Sequence, residues 1–236
     1  MKRPSACFLA CLALALFPSF PTAADEHSFP LVTPGGRLVL ENQAGTVTLS
    51  QVEAAGAEHP HPWLEKQPPV PLWTITVLDS GKTRHALTAL DGKATVRESS
   101  ENQLVLEWTD LQPGTLRVLA SVSTRDNQFE WNIEFEAKDS GYTLWDAVYP
   151  EIGPLALSEK VHSIIPYGWG VLHENLQNRR WEGVYPSASW AMPFVSVSDG
   201  DTGVYLGVHE SAGYPFTFFV GKRPDQPAAG LGVRHT

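Results

Sequence analysis

The sequence predicts an all-β protein whose strands form an antiparallel sandwich. Apolar and polar residues alternate with a period of two through almost the whole chain, as in strands with one buried face. Turn signals separate these segments about every ten residues, which is typical of sandwiches and barrels. No segment has the 3.6-residue apolar spacing of an amphipathic helix. Hydrophobic residues make up 42% of the 236 residues, so the chain can bury a sizeable core.

The first 24 residues have the pattern of a cleaved signal peptide. Lys2 and Arg3 form a positive start, residues 7–17 (CFLACLALALF) are apolar, and Thr22, Ala23 and Ala24 supply small residues for cleavage. We therefore expect an exported protein, periplasmic or extracellular in a bacterium, with one domain over residues 25–236. Both cysteines would leave with the signal, so neither a disulfide nor a thiolate metal site is expected.

The strands that follow are predicted from alternation. The clearest is Phe129, Trp131, Ile133 and Phe135, interleaved with polar residues, which predicts one buried and one wet face. The same pattern recurs in Leu38 and Leu40, Val47 and Leu49, Trp73, Ile75 and Val77, Leu104, Leu106 and Trp108, Leu116, Val118, Ala120 and Val122, and residues 192–197, 204–208 and 216–220.

Short polar and glycine-containing segments between these strands predict tight hairpins. They are residues 79–81 (DSG), 91–92 (DG), 113–114 (PG) and 199–200 (DG). Glycine and aspartate permit the positive φ angles that such turns need, and proline presets φ at a value that turns use.

Two segments interrupt the alternation. Residues 58–71 (EHPHPWLEKQPPVP) contain five prolines and predict an extended excursion. Residues 166–189 are predicted to be a long connection without strands, and long loops in compact domains are commonly functional.

Charge and hydropathy exclude several classes of function. The formal charge of -9 argues against binding to a nucleic acid, whose phosphates need a basic surface. After the signal, no run approaches the roughly 18 apolar residues of a membrane span. We predict no cofactor and no metal, because the prolines in His59-Pro60-His61 would splay that pair of histidines.

The long connection and its flanks are unusually aromatic, which predicts a sugar site. Flat aromatic rings match the C–H faces of sugars, and polar side chains match the hydroxyls at the rim. The predicted carbohydrate-binding residues are Tyr167, Trp169, Trp181, Tyr185, Trp190 and His209. Each ring could equally be a buried anchor, and the sequence does not identify the sugar.

Catalytic residues are less clearly indicated. Glycoside hydrolysis needs two facing carboxylates, and no spacing singles out a pair among Glu174, Glu182, Asp199 and Glu210. A histidine with a carboxylate could open a sugar ring by acid–base chemistry, and the candidates are His173, Glu174, His209 and Glu210.

Four segments resemble a known kind of domain. Residues 36–42 (GRLVLEN), 166–170 (PYGWG), 185–187 (YPS) and 203–209 (GVYLGVH) are similar to successive segments of the N-terminal β-supersandwich in certain secreted bacterial glycoside-hydrolase-like proteins. The resemblance covers nearly all of residues 25–236. It implies a galactose-mutarotase-like supersandwich, with Trp169, Tyr185 and His209 as candidates for sugar contact.

In such proteins a catalytic (β/α)₈ barrel follows the sandwich, and this sequence has no alternating strand–helix pattern. By this resemblance the sandwich can be incomplete at its C-terminus, since the chain ends at residue 236 where such proteins continue. We expect an exported module that binds sugar or supports a catalytic barrel in a partner chain, without hydrolysis of its own. The alternatives are a mutarotase- or epimerase-type enzyme, a structural sandwich that docks a protein, and a truncated gene product.

Overall fold

The computed structural model describes residues 27–55, 62–66, 68–112, 116–138, 141–168, 170–209, 214–222 and 228–236. The predicted signal peptide, residues 1–24, lies outside these ranges. The described residues form strands and no helix, which confirms the all-β prediction. The strands are β1 (His27–Thr33), β2 (Gly36–Gln43), β3 (Thr46–Ala54), β4 (Thr74–Leu78), β5 (Arg84–Thr88), β6 (Ala94–Ser99), β7 (Gln103–Leu111), β8 (Leu116–Arg125), β9 (Gln128–Ala137), β10 (Thr143–Ile152), β11 (His162–Ile165), β12 (Val171–His173), β13 (Arg180–Tyr185), β14 (Phe194–Ser198), β15 (Gly203–Gly207), β16 (Phe216–Lys222) and β17 (Ala229–His235).

These strands form four sheets with antiparallel pairing. A three-stranded sheet has the order β1-β2-β3, and the first four-stranded sheet has the order β6-β7-β8-β9. A six-stranded sheet has the order β13-β16-β17-β10-β4-β5. The second four-stranded sheet has the order β12-β11-β14-β15. Strands β12 and β13 are thus edge strands of different sheets, and the site described below lies between them.

One hydrophobic core joins the sheets. Trp73 and Trp108 meet edge to face, with ring centroids 5.3 Å apart, and the indole Nε1 of Trp108 donates to the carbonyl of Ala89 at 3.1 Å. The predicted inward residues of β7 (Leu104, Leu106, Trp108) and β8 (Leu116, Val118, Ala120, Val122) are all buried, as are those of β2, β3 and β4. Alternation therefore identified the inward faces of these strands correctly.

Strand β9 departs from its prediction. Its apolar residues, Phe129, Trp131, Ile133 and Phe135, pack against the core but are only half-buried. The physical reason is position: β9 is the last strand of its sheet, so one flank of each side chain lacks a neighbouring strand. Trp131 is anchored there by an edge-to-face contact with Tyr149, at 5.7 Å between centroids.

The prediction of a strandless connection over residues 166–189 is wrong. This segment contains two strands, β12 and β13. Strand β13 pairs with β16 from Arg180↔Gly221 to Tyr185↔Phe216. Strand β13 reads Arg-Trp-Glu-Gly-Val-Tyr, and its charges and glycine weaken the local strand signal. It forms because β16, which is buried from Phe216 to Gly221, supplies a partner distant in sequence.

The predicted turns have different outcomes. Residues 79–81 and 199–200 close the β4–β5 and β14–β15 hairpins, and Gly200 has the positive φ of 100° that its turn requires. Residues 91–92 instead connect β5 and β6, which belong to different sheets, so no hairpin forms there. Residues 113–114 lie outside the described part.

The proline-rich excursion is described only in part, because residues 56–61 and 67 lie outside the described ranges. His59 and His61 are among them. Trp63 is buried, and Leu64 forms an isolated antiparallel bridge with Leu155. The described part of the excursion therefore attaches to the core.

A network of ion pairs around the buried carboxylate of Glu107 crosses the first four-stranded sheet. The Glu107 side chain is 2% exposed and contacts Arg97 through Oε2, while Arg117 Nε donates to its Oε1 at 2.6 Å. Arg117 also donates to Glu136 Oε2 at 3.2 Å. Burial by itself raises the pKa of Glu107, but hydrogen bonds and positive charge from Arg117 and Arg97 outweigh it, so the pKa is lowered.

This arrangement predicts a pH-dependent contribution of Glu107 to stability. Because its pKa is lower in the folded protein, the contribution is complete above the ordinary carboxyl pKa and is lost as the pH falls through the lowered value. We expect Glu107→Gln to reduce the free energy of unfolding by about 1–3 kcal/mol at pH 7. The deficit relative to wild type should shrink as the pH falls below 4.5.

Urea denaturation of both proteins between pH 3 and pH 7 measures this effect. Glu136→Gln is the matched control, since Glu136 is 55% exposed at the end of the same network. We expect that control to change stability by roughly 0–1 kcal/mol. A Glu107→Gln deficit that stays constant across the pH range would contradict the assignment.

Candidate functional site

A half-open cleft of about 410 Å³ lies where the edge of the six-stranded sheet meets the edge of the second four-stranded sheet. This volume is in the range of small-molecule sites, about 300–1,000 Å³. The lining comes from β11, β12, β13 and the connections that follow β11 and β13: Ile165, Tyr167, Val171, His173, Trp181, Glu182, Ser189 and Trp190.

One wall is a pair of rings in close, tilted contact. His173 on β12 and Trp181 on β13 have centroids 3.8 Å apart and planes inclined by 34°. Burial lowers the pKa of His173 from its ordinary 6.5, so the imidazole is neutral at neutral pH. A neutral imidazole offers one donor and one acceptor. Trp181 Nε1 is buried and has no hydrogen-bond partner in the described part of the chain.

The back wall is Trp190, which is only 2% exposed. Its ring is parallel to that of Phe218 within 9°, with centroids 5.8 Å apart, and its Nε1 donates to the carbonyl of Phe194 at 2.9 Å. The ring lies directly over Gly183 on β13, where an added Cβ would fall 2.2 Å from Trp190 Cε3. The glycine thus makes room for the ring, and stacking and hydrogen bonding hold it.

Glu182, another lining residue, has a carboxylate that two arginines hold. Glu182 Oε2 accepts from Arg180 Nε at 3.2 Å, and its Oε1 accepts from Arg234 Nη1 at 3.1 Å. The Arg180 side chain is 7% exposed, and its guanidinium lies 3.8 Å from the centroid of the Phe219 ring. The two arginines thereby orient the carboxylate, and Arg180 and Glu182 alternate with Trp181 along β13, so this ion-pair network lies on the other face of the strand.

The rim is formed by the turn between β11 and β12. Tyr167 is 56% exposed, and its carbonyl accepts from the amide of Gly170 at 2.9 Å. Gly168 and Gly170 have φ of 57° and 93°, conformations that glycine adopts without strain. The two glycines therefore shape the turn that places Tyr167 at the cleft entrance.

The structure brings together part of the predicted site. Tyr167, His173, Trp181 and Trp190 line the cleft. Tyr185 instead packs, half-buried, against the core, because it ends β13 beside Phe216. Glu174 and His209 are exposed and do not belong to the lining. Trp169 and Glu210 lie outside the described residues.

Five lining residues were absent from the predicted binding set: His173, which was predicted only as an acid–base candidate, and Ile165, Val171, Glu182 and Ser189. Glu182 was recognised only as one of several available carboxylates. A signal was available in the Gly-x-Gly turn between two short apolar segments, since a hairpin there brings Ile165 opposite Val171. No comparable local signal marks Ser189.

The lining combines aromatic faces with a few polar groups, which suits a ligand that is apolar on its faces and polar at its edges. Of the pairs predicted for acid–base chemistry, none is assembled in the cleft from described residues, because Glu174 and His209 lie elsewhere. Within the described ranges, no three His, Asp or Glu side chains gather closely enough to hold a metal ion. The same ranges contain no helix that is long and apolar enough to cross a membrane.

No protein-family model matches the sequence, and no curated protein matches it.

Proposed function

We propose that this protein is an exported carbohydrate-binding β module that holds a sugar in the cleft between β12 and β13. The observation that carries the proposal is the close, tilted ring pair of His173 and Trp181, which lines a cavity of about 410 Å³ together with Trp190. The resemblance of residues 36–42, 166–170, 185–187 and 203–209 to N-terminal supersandwich domains of glycoside-hydrolase-like proteins supports the same conclusion.

The chemistry of the walls fits a saccharide. Aromatic rings contact the C–H face of a pyranose, and the surrounding polar groups accept and donate to its hydroxyls. His173 contributes one donor or acceptor from a neutral ring.

The number of carboxylates in the described lining favours a binding function over a hydrolytic one. Glycosidases use a pair of them across the scissile bond, about 5–10 Å apart. Among the described lining residues Glu182 is the one carboxylate, and Arg180 and Arg234 already engage it. We propose that catalysis, where it is coupled to this module, belongs to a partner such as a (β/α)₈ barrel.

A glycan array probed with the purified protein tests this function. We expect binding to a limited group of glycans with Kd between about 1 μM and 1 mM. Binding should also change tryptophan fluorescence, because Trp181 and Trp190 line the cleft. Absence of binding to every glycan on a broad array would contradict the proposal.

A further inference from the structure

We infer that the sugar held in the cleft carries a methyl group, as a 6-deoxy carbon or in an acetyl substituent, and that this methyl group enters the back of the cleft. The inference rests on the function proposed above and names the class of sugar. The most buried lining residues are apolar and the polar ones lie nearer solvent, and this distribution selects the ligand.

The back of the cleft is apolar. Ile165 and Trp190 are each 2% exposed, which makes them the most buried of the lining residues. The amide of Ala191 donates to the carbonyl of Pro166 at 2.8 Å, so the segments that carry these two side chains lie side by side. Trp190 Nε1 is already bound to the Phe194 carbonyl. These two side chains therefore offer no free donor or acceptor to a ligand.

Val171 extends this apolar surface toward the entrance. It lies on β12 directly opposite Ile165 on β11, and both residues line the cleft. Side chains of directly opposite residues share one face of the strand pair, with Cβ atoms about 4.5–5.5 Å apart. Val171 is 38% exposed, in contrast to its buried partner. The two aliphatic side chains thus form a patch that runs from the back of the cleft to its more open part.

The polar side chains of the lining lie nearer solvent. Tyr167, Glu182 and Ser189 are exposed. The hydroxyl of Ser189 lies 3.1 Å from that of Ser187, and two arginines hold the Glu182 carboxylate. Among the lining residues with a hydroxyl, carboxylate or imidazole group, the half-buried His173 is the most deeply placed. The hydroxyls of a ligand therefore find these partners nearer the entrance than the back.

This distribution favours a methyl group on the inserted edge of the sugar. A pyranose whose ring face lies against His173 and Trp181 directs one edge toward the back of the cleft. An ordinary hexose carries hydroxyls there, and burial of a hydroxyl without a partner forfeits its hydrogen bonds to water. A methyl group has no such cost and gains free energy when it leaves water. The methyl-bearing sugar should therefore bind more tightly than its hydroxyl counterpart.

Isothermal titration calorimetry of the purified protein with three matched pairs of sugars tests the inference. The pairs are L-fucose with L-galactose, L-rhamnose with L-mannose, and N-acetyl-D-glucosamine with D-glucose. In at least one pair we expect the methyl-bearing sugar to bind about tenfold or more tightly than its counterpart. The pair that shows the preference distinguishes a 6-deoxy carbon from an acetyl group. In saturation-transfer difference spectra of the bound sugar, the methyl protons should give the strongest signal.

Two valine variants locate the preference in the cleft. Val171→Thr keeps the shape of the side chain and replaces one methyl group of the patch by a hydroxyl, so it should reduce the preference by about fourfold. Val32→Thr makes the same change at a 60% exposed position on β1, outside the lining, and should leave the preference unchanged.

The possible failures are distinguishable. Equal affinities within all three pairs, a methyl signal weaker than that of the ring protons, or binding only of glycans that lack a methyl group would overturn the inference and leave sugar binding intact. A Val171→Thr protein with the full wild-type preference would overturn it as well. If none of the six sugars and no glycan on the array binds, the proposed function fails together with the inference.

Discussion

Trp181→Ala is expected to lower the affinity of the cleft for its glycan by about 100-fold, or roughly 2.7 kcal/mol. Trp181 supplies one stacking face directly and also holds His173, whose ring centroid lies 3.8 Å away. Its removal deletes one wall of the cleft and leaves the His173 ring without its packing partner. Truncation of a central aromatic contact commonly costs about 2 kcal/mol or more.

The free energy of unfolding should fall much less than for a core tryptophan, because Trp181 is only half-buried and its Nε1 has no partner in the described part. Calorimetry with the best glycan from the array measures the affinity. Val184→Ala, at a 45% exposed position on the same strand and outside the cleft, is the matched control. Equal affinity of wild type and Trp181→Ala would remove the cleft from the binding site.

Gly183→Ala is expected to destabilise the protein by about 2 kcal/mol or more, within or above the usual range for overpacked cores. The new Cβ would lie 2.2 Å from Trp190 Cε3 and 3.0 Å from Cζ3. Trp190 cannot retreat, since it stacks on Phe218 and donates to the Phe194 carbonyl. The same displacement moves the back wall of the cleft, so glycan affinity should fall as well.

Urea denaturation measures the stability change. Gly141→Ala is the matched control, because nothing lies within 4 Å of its added Cβ, and it should change stability by about 0.5 kcal/mol or less. Combining Gly183→Ala with Trp190→Ala should destabilise the protein less than the sum of the two single changes, since the clash is gone. If the two single changes are strictly additive in the double variant, the clash between the new Cβ and Trp190 does not cause the loss of stability.

Much of the fold could be predicted because burial has a period of two in strands. The inward positions of β7 and β8 follow directly from alternation. Strand β13 could not be predicted in this way, because an edge strand with Arg180, Glu182 and Gly183 depends on pairing with β16, about forty residues later. The half-burial of Trp131 likewise depends on β9 being the last strand of its sheet, which is a property of topology.

The aromatic part of the candidate site could be predicted from the sequence. Aromatic density identified Tyr167, Trp181 and Trp190, although it also included Tyr185, which faces the core. The role of Glu182 required the fold, since Arg234 reaches it from β17, 52 residues away in the chain.

The central claim is that the rings of the cleft contact the bound sugar. Nuclear magnetic resonance of the indole N–H groups tests it most directly, with the glycan chosen from the array and the Trp181 and Trp190 signals assigned from Trp181→Phe and Trp190→Phe. We predict that titration shifts these two resonances and leaves that of Trp108 unchanged, because Trp108 is buried, donates to the Ala89 carbonyl and is not among the lining residues. Saturating binding with the Trp181 and Trp190 signals unmoved would contradict the account.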